Sequence, residues 1–151
     1  MALARNEQII AALVDRLTAA LVPEIVTVVR RHRVWPERLT DLPAVNVVQG
    51  DDVPVQEREQ ESQLRIDWEM GIAIEIRARA AEDVDTTLNA IAAAVHAAIW
   101  TDYTLGLGFV LRVIPGPTGQ PEPDADGRSQ AGRIDKLLSV QYRTAADDLT
   151  S

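Results

Sequence analysis

The most regular pattern in the chain is a long alternation of apolar and polar side chains over residues 64–79. Its apolar positions are Leu64, Ile66, Trp68, Met70, Ile72, Ile74 and Ile76. A period of two predicts a β-strand with one buried face. These 16 residues, if fully extended, would span about 50 Å, which is much longer than an ordinary strand. We therefore expect either a bulge at Gly71 or a strand that projects from the domain as an arm.

Two other stretches have the spacing of amphipathic helices. Residues 6–21 carry apolar side chains three and four positions apart, and Pro23 prevents the helix from continuing. These side chains are Ile10, Leu13, Val14, Leu17 and Leu21. A second helix is predicted to begin after Asp83, because aspartate is a favourable N-cap residue. Its apolar stripe consists of Val84, Leu88, Ile91, Val95 and Ile99.

Shorter runs of β-branched or alternating residues predict four more strands, at residues 24–30, 44–48, 105–113 and 134–143. Residues 50–63 are acidic with little to bury, and residues 115–133 are dense in Pro, Gly and Asp. We expect both segments to be long exposed loops. The last two strands would then form a hairpin with a long loop, and residues 145–151 would be a frayed tail.

The order of elements is helix, strand, strand, long strand, helix, strand, strand. It predicts an α+β fold with a mostly antiparallel sheet of about five strands and two helices packed on one face. A chain of 151 residues fits a single domain, whose core we place at about residues 5–144. Hydrophobic residues make up 46% and charged residues 25% of the chain, as is typical of a protein that folds.

Composition argues against several classes of protein. Without cysteine there is no disulfide, no thiolate catalysis and no cysteine metal site. A net charge of −8 opposes tight binding to nucleic acid, because phosphates are neutralised by clustered Lys and Arg. Charged residues interrupt every apolar run before it reaches the roughly 20 residues that span a bilayer, so we expect no membrane segment. The N-terminus has no secretory-signal pattern, so we expect the protein to be used where it is made, and the lack of cysteine fits synthesis in a reducing cytoplasm.

Catalytic and cofactor chemistry finds little support. Gly106 and Gly108 form a GxG, but the third glycine and the following helix of a dinucleotide site are missing, so these glycines are more simply explained by strand packing or a turn. His32 and His96 have no ligand or catalytic partner at a suitable spacing. The acidic run from Asp51 to Glu61 lacks the ordered register of a calcium loop. We expect no enzyme activity, no cofactor and no metal.

Candidate interface residues form three sets. A basic cluster contains Arg30, Arg31 and Arg33. An acidic segment contains Asp51, Asp52, Glu57, Glu59 and Glu61, and it either faces solvent or a channel or pairs with the basic cluster of a neighbouring copy. Trp35 and Trp100 can anchor an interface, although a core position is the more common place for tryptophan. Trp68 lies on the apolar side of its strand and is expected in the core.

Several short phrases resemble the tail terminator, or tail completion, family of long-tailed phages. Residues 42–48 (Leu-Pro-Ala-Val-Asn-Val-Val) run into Gly50, Asp51 and Asp52 before the long alternating strand. Residues 102–106 (Asp-Tyr-Thr-Leu-Gly) and 140–144 (Val-Gln-Tyr-Arg-Thr) are also similar to that family. The resemblance covers roughly residues 5–144, and none of its motifs is a chemical signature.

The resemblance implies a structural virion protein at the head-proximal end of the tail. Family members form a hexameric ring that caps the tail tube, ends its polymerisation and joins the head connector, while DNA passes through without specific binding. The implied partners are other copies of the chain, the tail tube protein and the head-connector or neck protein. Two alternatives remain open: another neck or tail component, such as a head-completion or tail-tube-like protein, or a small host binding module.

Overall fold

A computed structural model describes residues 2–31, 41–55, 65–80, 82–123 and 131–151. Two helices, α1 (Arg5–Leu21) and α2 (Val84–Trp100), accompany six strands. The strands are β1 (Val28–Arg31), β2 (Ala44–Pro54), β3 (Arg65–Arg79), β4 (Val110–Thr118), β5 (Glu122–Pro123) and β6 (Ala131–Ala145). The expected α+β class and the order of the main elements are confirmed, and the two-residue β5 is an addition.

The sheet has the strand order β1-β2-β3-β6-β4, and β5 pairs with β6 beyond the end of β4. Only β1 and β2 are parallel, so the sheet is mostly antiparallel as predicted. Its centre is the β3–β6 pair, which runs without a register shift from Arg65 opposite Ala145 to Arg79 opposite Ala131. The predicted pairing of the last two long strands is also confirmed, as β4 with β6.

The core lies between the sheet and the two helices. Every second residue of β3 from Met70 to Ala78 is buried, and the same parity is buried along β6. The helices contribute Ile9, Ile10, Leu13, Leu17 and Leu21 from α1 and Leu88, Ile91, Val95 and Ile99 from α2. Asp83 caps α2 through its carboxylate, which accepts a hydrogen bond from the Thr86 amide, as expected of this N-cap. Both helices pack on the apolar face that the alternation of β3 predicts.

The first half of the sheet differs from the prediction in length. The strand expected at residues 24–30 is shorter and begins at Val28. The strand expected at residues 44–48 continues to Pro54, so the start of the predicted acidic loop is extended and pairs with β3. The long strand β3 itself has no bulge, and it pairs with a neighbouring strand on each side instead of projecting as an arm. The bulge lies in the neighbouring strand β2, between Gln49 and Asp52, opposite Gly71. The two strands are close there, since a Cβ at Gly50 would lie 3.0 Å from the Gly71 oxygen.

The second half also contains corrections. Residues 105–109 were predicted as strand, but they form turns in which Leu105 and Gly106 have φ angles of 55° and 70°. The alternation of apolar residues and glycines that predicts a strand here has another cause. Leu105 is buried in the core, and Gly106 allows the left-handed φ angle of the turn. The expected loop at 115–133 is shortened from both sides, by β4 to Thr118 and by β6 from Ala131. The C-terminal tail contacts the start of α1, where the Arg5 amide donates to the Leu149 carbonyl oxygen at 2.9 Å.

Candidate assembly surfaces

The sheet face away from the helices, here called the open face, is a lattice of charged and polar side chains. Arg143 donates to both carboxylate oxygens of Asp67, at 2.6 and 3.0 Å. Diagonally across the same two strands, the Ser139 hydroxyl donates to Glu69 at 2.9 Å. Because the partners on β3 and β6 share a register, the polar positions of the two alternating strands meet in pairs. The open face is therefore water-facing in the free subunit and suited to polar contacts.

An uncharged row crosses the middle of the open face. Val48 on β2 lies opposite Ala73 on β3, and Ala73 lies opposite Leu137 on β6. Leu137 is 44% exposed, which makes it one of the larger apolar side chains left accessible to water. The row is narrow and bordered by charges, so by itself it does not define a docking surface.

The two described arginines of the basic cluster have partners within their own chain. Arg30 donates to Asp41 at 3.0 Å, and Arg31 forms a bidentate pair with Glu7 of α1. Hydrogen bonding to Glu7 raises the pKa of Arg31 and lowers that of Glu7. One nitrogen of Arg30, Nη1, is buried and finds no acceptor among the described residues. This pairing inside the subunit leaves less basic charge for a neighbouring copy than the sequence suggests.

Asp51 and Asp52 have different environments although they are adjacent. Asp51 is exposed in the irregular part of β2. Asp52 points to the helix side, where its Oδ2 accepts hydrogen bonds from the Tyr142 hydroxyl at 2.5 Å and from Asn6 at 3.3 Å. Its other oxygen is buried and has no donor among the described residues. Asp52 therefore belongs to the internal packing of α1, β2 and β6, whereas Asp51 is available to a partner.

The tryptophans pack against the core without being fully enclosed. Trp100, at the end of α2, stacks on the exposed His96 with ring centroids 4.4 Å apart, and the Lys136 ammonium lies 5.7 Å from the Trp100 ring. Trp68 is half-buried and donates from Nε1 to the Thr144 hydroxyl at 3.0 Å. Lys136 is only 6% exposed, and burial lowers its pKa. Trp100 thus has internal contacts, while one edge remains accessible.

A cleft of about 580 Å³ opens at the end of the sheet where β3 begins and β6 ends. Arg5, Arg65 and Arg143 line it together with Phe109 and Leu111. Arg5 lies over the Phe109 ring, 4.6 Å from its centroid, and donates to the Arg143 carbonyl oxygen. Arg65 is exposed and has no carboxylate partner among the described residues. The cleft combines basic side chains with an apolar wall.

The sequence did not single out this cleft. Arg5, Arg65 and Arg143 are distant along the chain, and only the β3–β6 register brings the last two to one end of the sheet. The sequence does show that Arg65 and Arg143 occupy polar positions near the ends of alternating strands. It does not show that these two ends lie together. Among the predicted site residues, Arg33, Trp35, Glu57, Glu59 and Glu61 lie outside the described residues, as does His32.

The described part of the chain lacks two further classes of site. No group of three or more His, Asp or Glu side chains there is arranged to hold a metal ion. No helix in the described segments is long and apolar enough to cross a membrane.

Comparison with known proteins gives a fold likeness. No protein-family model matches the chain, and a search of curated proteins gives no match either. Among solved structures, the chain is similar to one from the virion of a native gene transfer agent (GTA) particle, with a TM-score of 0.62. The alignment covers 89% of this chain and 94% of that chain at 19% sequence identity. Most of the α+β domain therefore has a fold that also occurs in that particle.

Proposed function

We propose that this protein is a structural subunit of a tailed-phage-like particle, and that its role there is that of the tail terminator. Copies of the chain would form a ring, with six subunits as the resemblance implies, on the last ring of the tail tube. The ring would stop tube polymerisation and present the joining surface for the head connector. In this proposal the protein has no catalytic activity and acts at the head-proximal end of the tail.

The observation that carries the proposal is the whole-domain likeness to a chain of a gene transfer agent virion, which aligns over 94% of that chain. A match of this extent favours a virion role for the domain as a whole, and it carries no information on the position of the subunit within the particle. The terminator role rests in addition on the short sequence phrases at residues 42–52, 102–106 and 140–144.

The surfaces also suit an assembly part. One face of the sheet packs on the helices, and the open face carries paired polar side chains such as Arg143 with Asp67. The open face and the ends of the sheet are both accessible to neighbouring subunits. The net charge of −8 suits a ring through which DNA moves, because phosphate is repelled rather than held.

Labelled particles provide the test. A short epitope tag is fused to the protein in the strain that makes the particle, and gold-labelled antibody is located by electron microscopy. We expect one cluster of label per particle, at the junction of head and tail. Label along the whole tube would indicate a tube-like protein instead, and label that is absent from purified particles would refute a virion role altogether.

The second candidate is a head-completion protein of the neck, which would give label at the same junction. The two are separated by isolating tails from a strain that cannot make heads. A terminator remains on the free tail, whereas a head-completion protein is absent from it. A small host binding module would appear in neither preparation, and light scattering of the purified protein would give a monomer or dimer.

A further inference from the structure

The two ends of the longest strand pair, β3–β6, border different sets of charged side chains. Arg65 and Arg79 are the first and last residues of β3, and both are exposed. At the Arg65 end lies the basic cleft with Arg5 and Arg143. At the other end, beside Arg79, α2 begins after Glu82 and the N-cap Asp83 and has Asp85 in its first turn. The difference between the two ends bears on how copies of the chain associate, and the inference drawn from it rests on the proposed ring.

The acidic end is defined by Glu82, Asp83 and Asp85, here called the acidic corner, and all three side chains are exposed. Its place is fixed by contacts of the first turn of α2 with β6: a Cβ at Gly132 would lie 3.2 Å from Leu88 and 3.4 Å from Val84. Asp83 is occupied by the Thr86 cap, which lowers its pKa. Glu82 and Asp85 have no ion-pair partner among the described residues.

Two of the three arginines that line the basic cleft, Arg5 and Arg143, have a carboxylate of the same chain close by. Asp67 pairs with Arg143, and Asp148 is close enough to Arg5 for the Arg5 charge to contribute to its lowered pKa, after the hydrogen bonds from Thr150 and Ser151. Arg65, at the rim of the cleft, has no ion-pair partner among the described residues. The volume of about 580 Å³ lies within the roughly 300–1,000 Å³ of ordinary binding clefts.

The cleft and the acidic corner cannot meet within one subunit. From the pair Arg65–Ala145 to the pair Ala78–Gly132 the strands advance 13 residues, which is about 43 Å at 3.3 Å per residue. We propose that the basic cleft receives the acidic corner of a second copy, with Arg65 of one copy facing Glu82 of the next. Each copy then offers one cleft and one corner, and such head-to-tail contacts close into a ring when the rotation permits.

A second copy is a better occupant of the cleft than nucleic acid. The chain carries a net charge of −8, and the cleft has three arginines of which two already have carboxylates close by. Binding to a phosphate backbone requires several uncompensated cations in a row. Binding of a compact acidic corner needs only one cation, which Arg65 supplies. Apolar contact with Phe109 and Leu111 would add to it.

Charge exchange tests the contact. Sedimentation velocity is measured at low salt for the wild type, Arg65→Glu, Glu82→Arg and the double variant. We expect either single reversal to weaken self-association about tenfold, and the double variant to recover most of it. Arg79→Glu is the matched control, because it makes the same charge change at the other end of the same strand, and it should not weaken association.

Cysteine cross-linking gives a second readout that does not depend on the affinity in solution, since the chain has no cysteine of its own. Copies carrying both Arg65→Cys and Glu82→Cys should give a ladder of disulfide-linked oligomers, on assembled tails if the free protein is monomeric. A mixture of the two single variants should stop at the dimer. The wild-type protein, which has no cysteine, is the control that cannot cross-link.

The outcomes separate this contact from the proposed function. Rings that assemble normally with Arg65→Glu and give no Arg65–Glu82 cross-link would overturn the contact but leave the ring in place. Protein that forms no ring either in solution or on tails would overturn both. If instead Arg65→Glu abolishes binding to duplex DNA and leaves self-association unchanged, the cleft is a phosphate site and our assignment is wrong.

Discussion

The hydroxyl of Tyr142 donates a 2.5 Å hydrogen bond to the carboxylate of Asp52, joining two strands that are not neighbours in the sheet. Tyr142 is 3% exposed on β6, and Asp52 follows the irregular turn of β2. Asn6 of α1 donates to the same carboxylate oxygen. One carboxylate thus ties the first turn of α1, the distorted part of β2 and the end of β6 together.

Removal of the Tyr142 hydroxyl should therefore destabilise the fold. We expect Tyr142→Phe to lower the free energy of unfolding by about 1.5–3 kcal/mol, because a charge-assisted bond is lost and a shielded carboxylate keeps one donor fewer. Urea unfolding at pH 7 measures it. Tyr103→Phe is the control, since Tyr103 is 59% exposed, and it should change stability little. Equal effects of the two variants would contradict a structural role for the bond.

The same pair predicts a loss of stability in alkali. Burial first, and then the hydrogen bond and charge of Asp52, raise the pKa of Tyr142 far above its ordinary value of about 10. The unfolded chain then releases this proton near pH 10 while the folded chain retains it, so stability falls as the pH rises above about 10. The stability difference between wild type and Tyr142→Phe should narrow by up to about 1.4 kcal/mol per pH unit there. A constant difference from pH 7 to about pH 11 would show that the phenol ionises normally.

Close approach of β4 to β6 at Gly116 gives a prediction about packing. A Cβ at this position would lie 2.9 Å from the Leu137 carbonyl oxygen and 3.1 Å from its carbon, and backbone atoms cannot move aside cheaply. We expect Gly116→Ala to cost about 1–3 kcal/mol. Gly108→Ala is matched to it, because no atom lies within 4 Å of the added methyl group. Thermal unfolding should rank Gly116→Ala well below Gly108→Ala, and the reverse order would refute the packing at this edge.

The acidic segment can be tested without disturbing the fold if Asp52 is left intact. We expect a variant with Asp51→Asn, Glu57→Gln, Glu59→Gln and Glu61→Gln to fold and to form rings that resist salt. The reason is that Arg30 and Arg31 already have Asp41 and Glu7 as partners, so the ring need not depend on these acids. DNA ejection from such particles should slow if the segment faces the channel. Salt-labile rings, seen by sedimentation, would instead mean that the acids pair with a neighbour.

The part of the fold that the sequence predicts well is the part that is fixed by periodicity. The alternation of residues 64–79 was sufficient for β3 because one face is buried beneath two helices, and the N-cap Asp83 located the start of α2. β2 was underestimated because Gly50, Asp51 and Pro54 favour turns, and pairing with Trp68 and Met70 overrides that local preference.

The candidate surfaces were less accessible to sequence reasoning. The alternation of Leu105, Leu107 and Phe109 imitates a strand, although Leu105 and Gly106 take left-handed φ angles. Glu7 and Asn6 of α1 bind Arg31 and Asp52, and periodicity does not show which helix side chain faces which strand. The basic cleft depends on the strand register, which no local pattern contains.

The length of the tails is the most direct measure of the central proposal. The gene is deleted in the strain that makes the particle, and tail lengths are measured by electron microscopy with and without the protein supplied in trans. We predict that deletion gives tubes without a defined upper length that are not joined to heads, and that the wild-type protein restores one length and the joined particles. Tails of normal, uniform length in the deleted strain would contradict the account, because termination would then not require this protein.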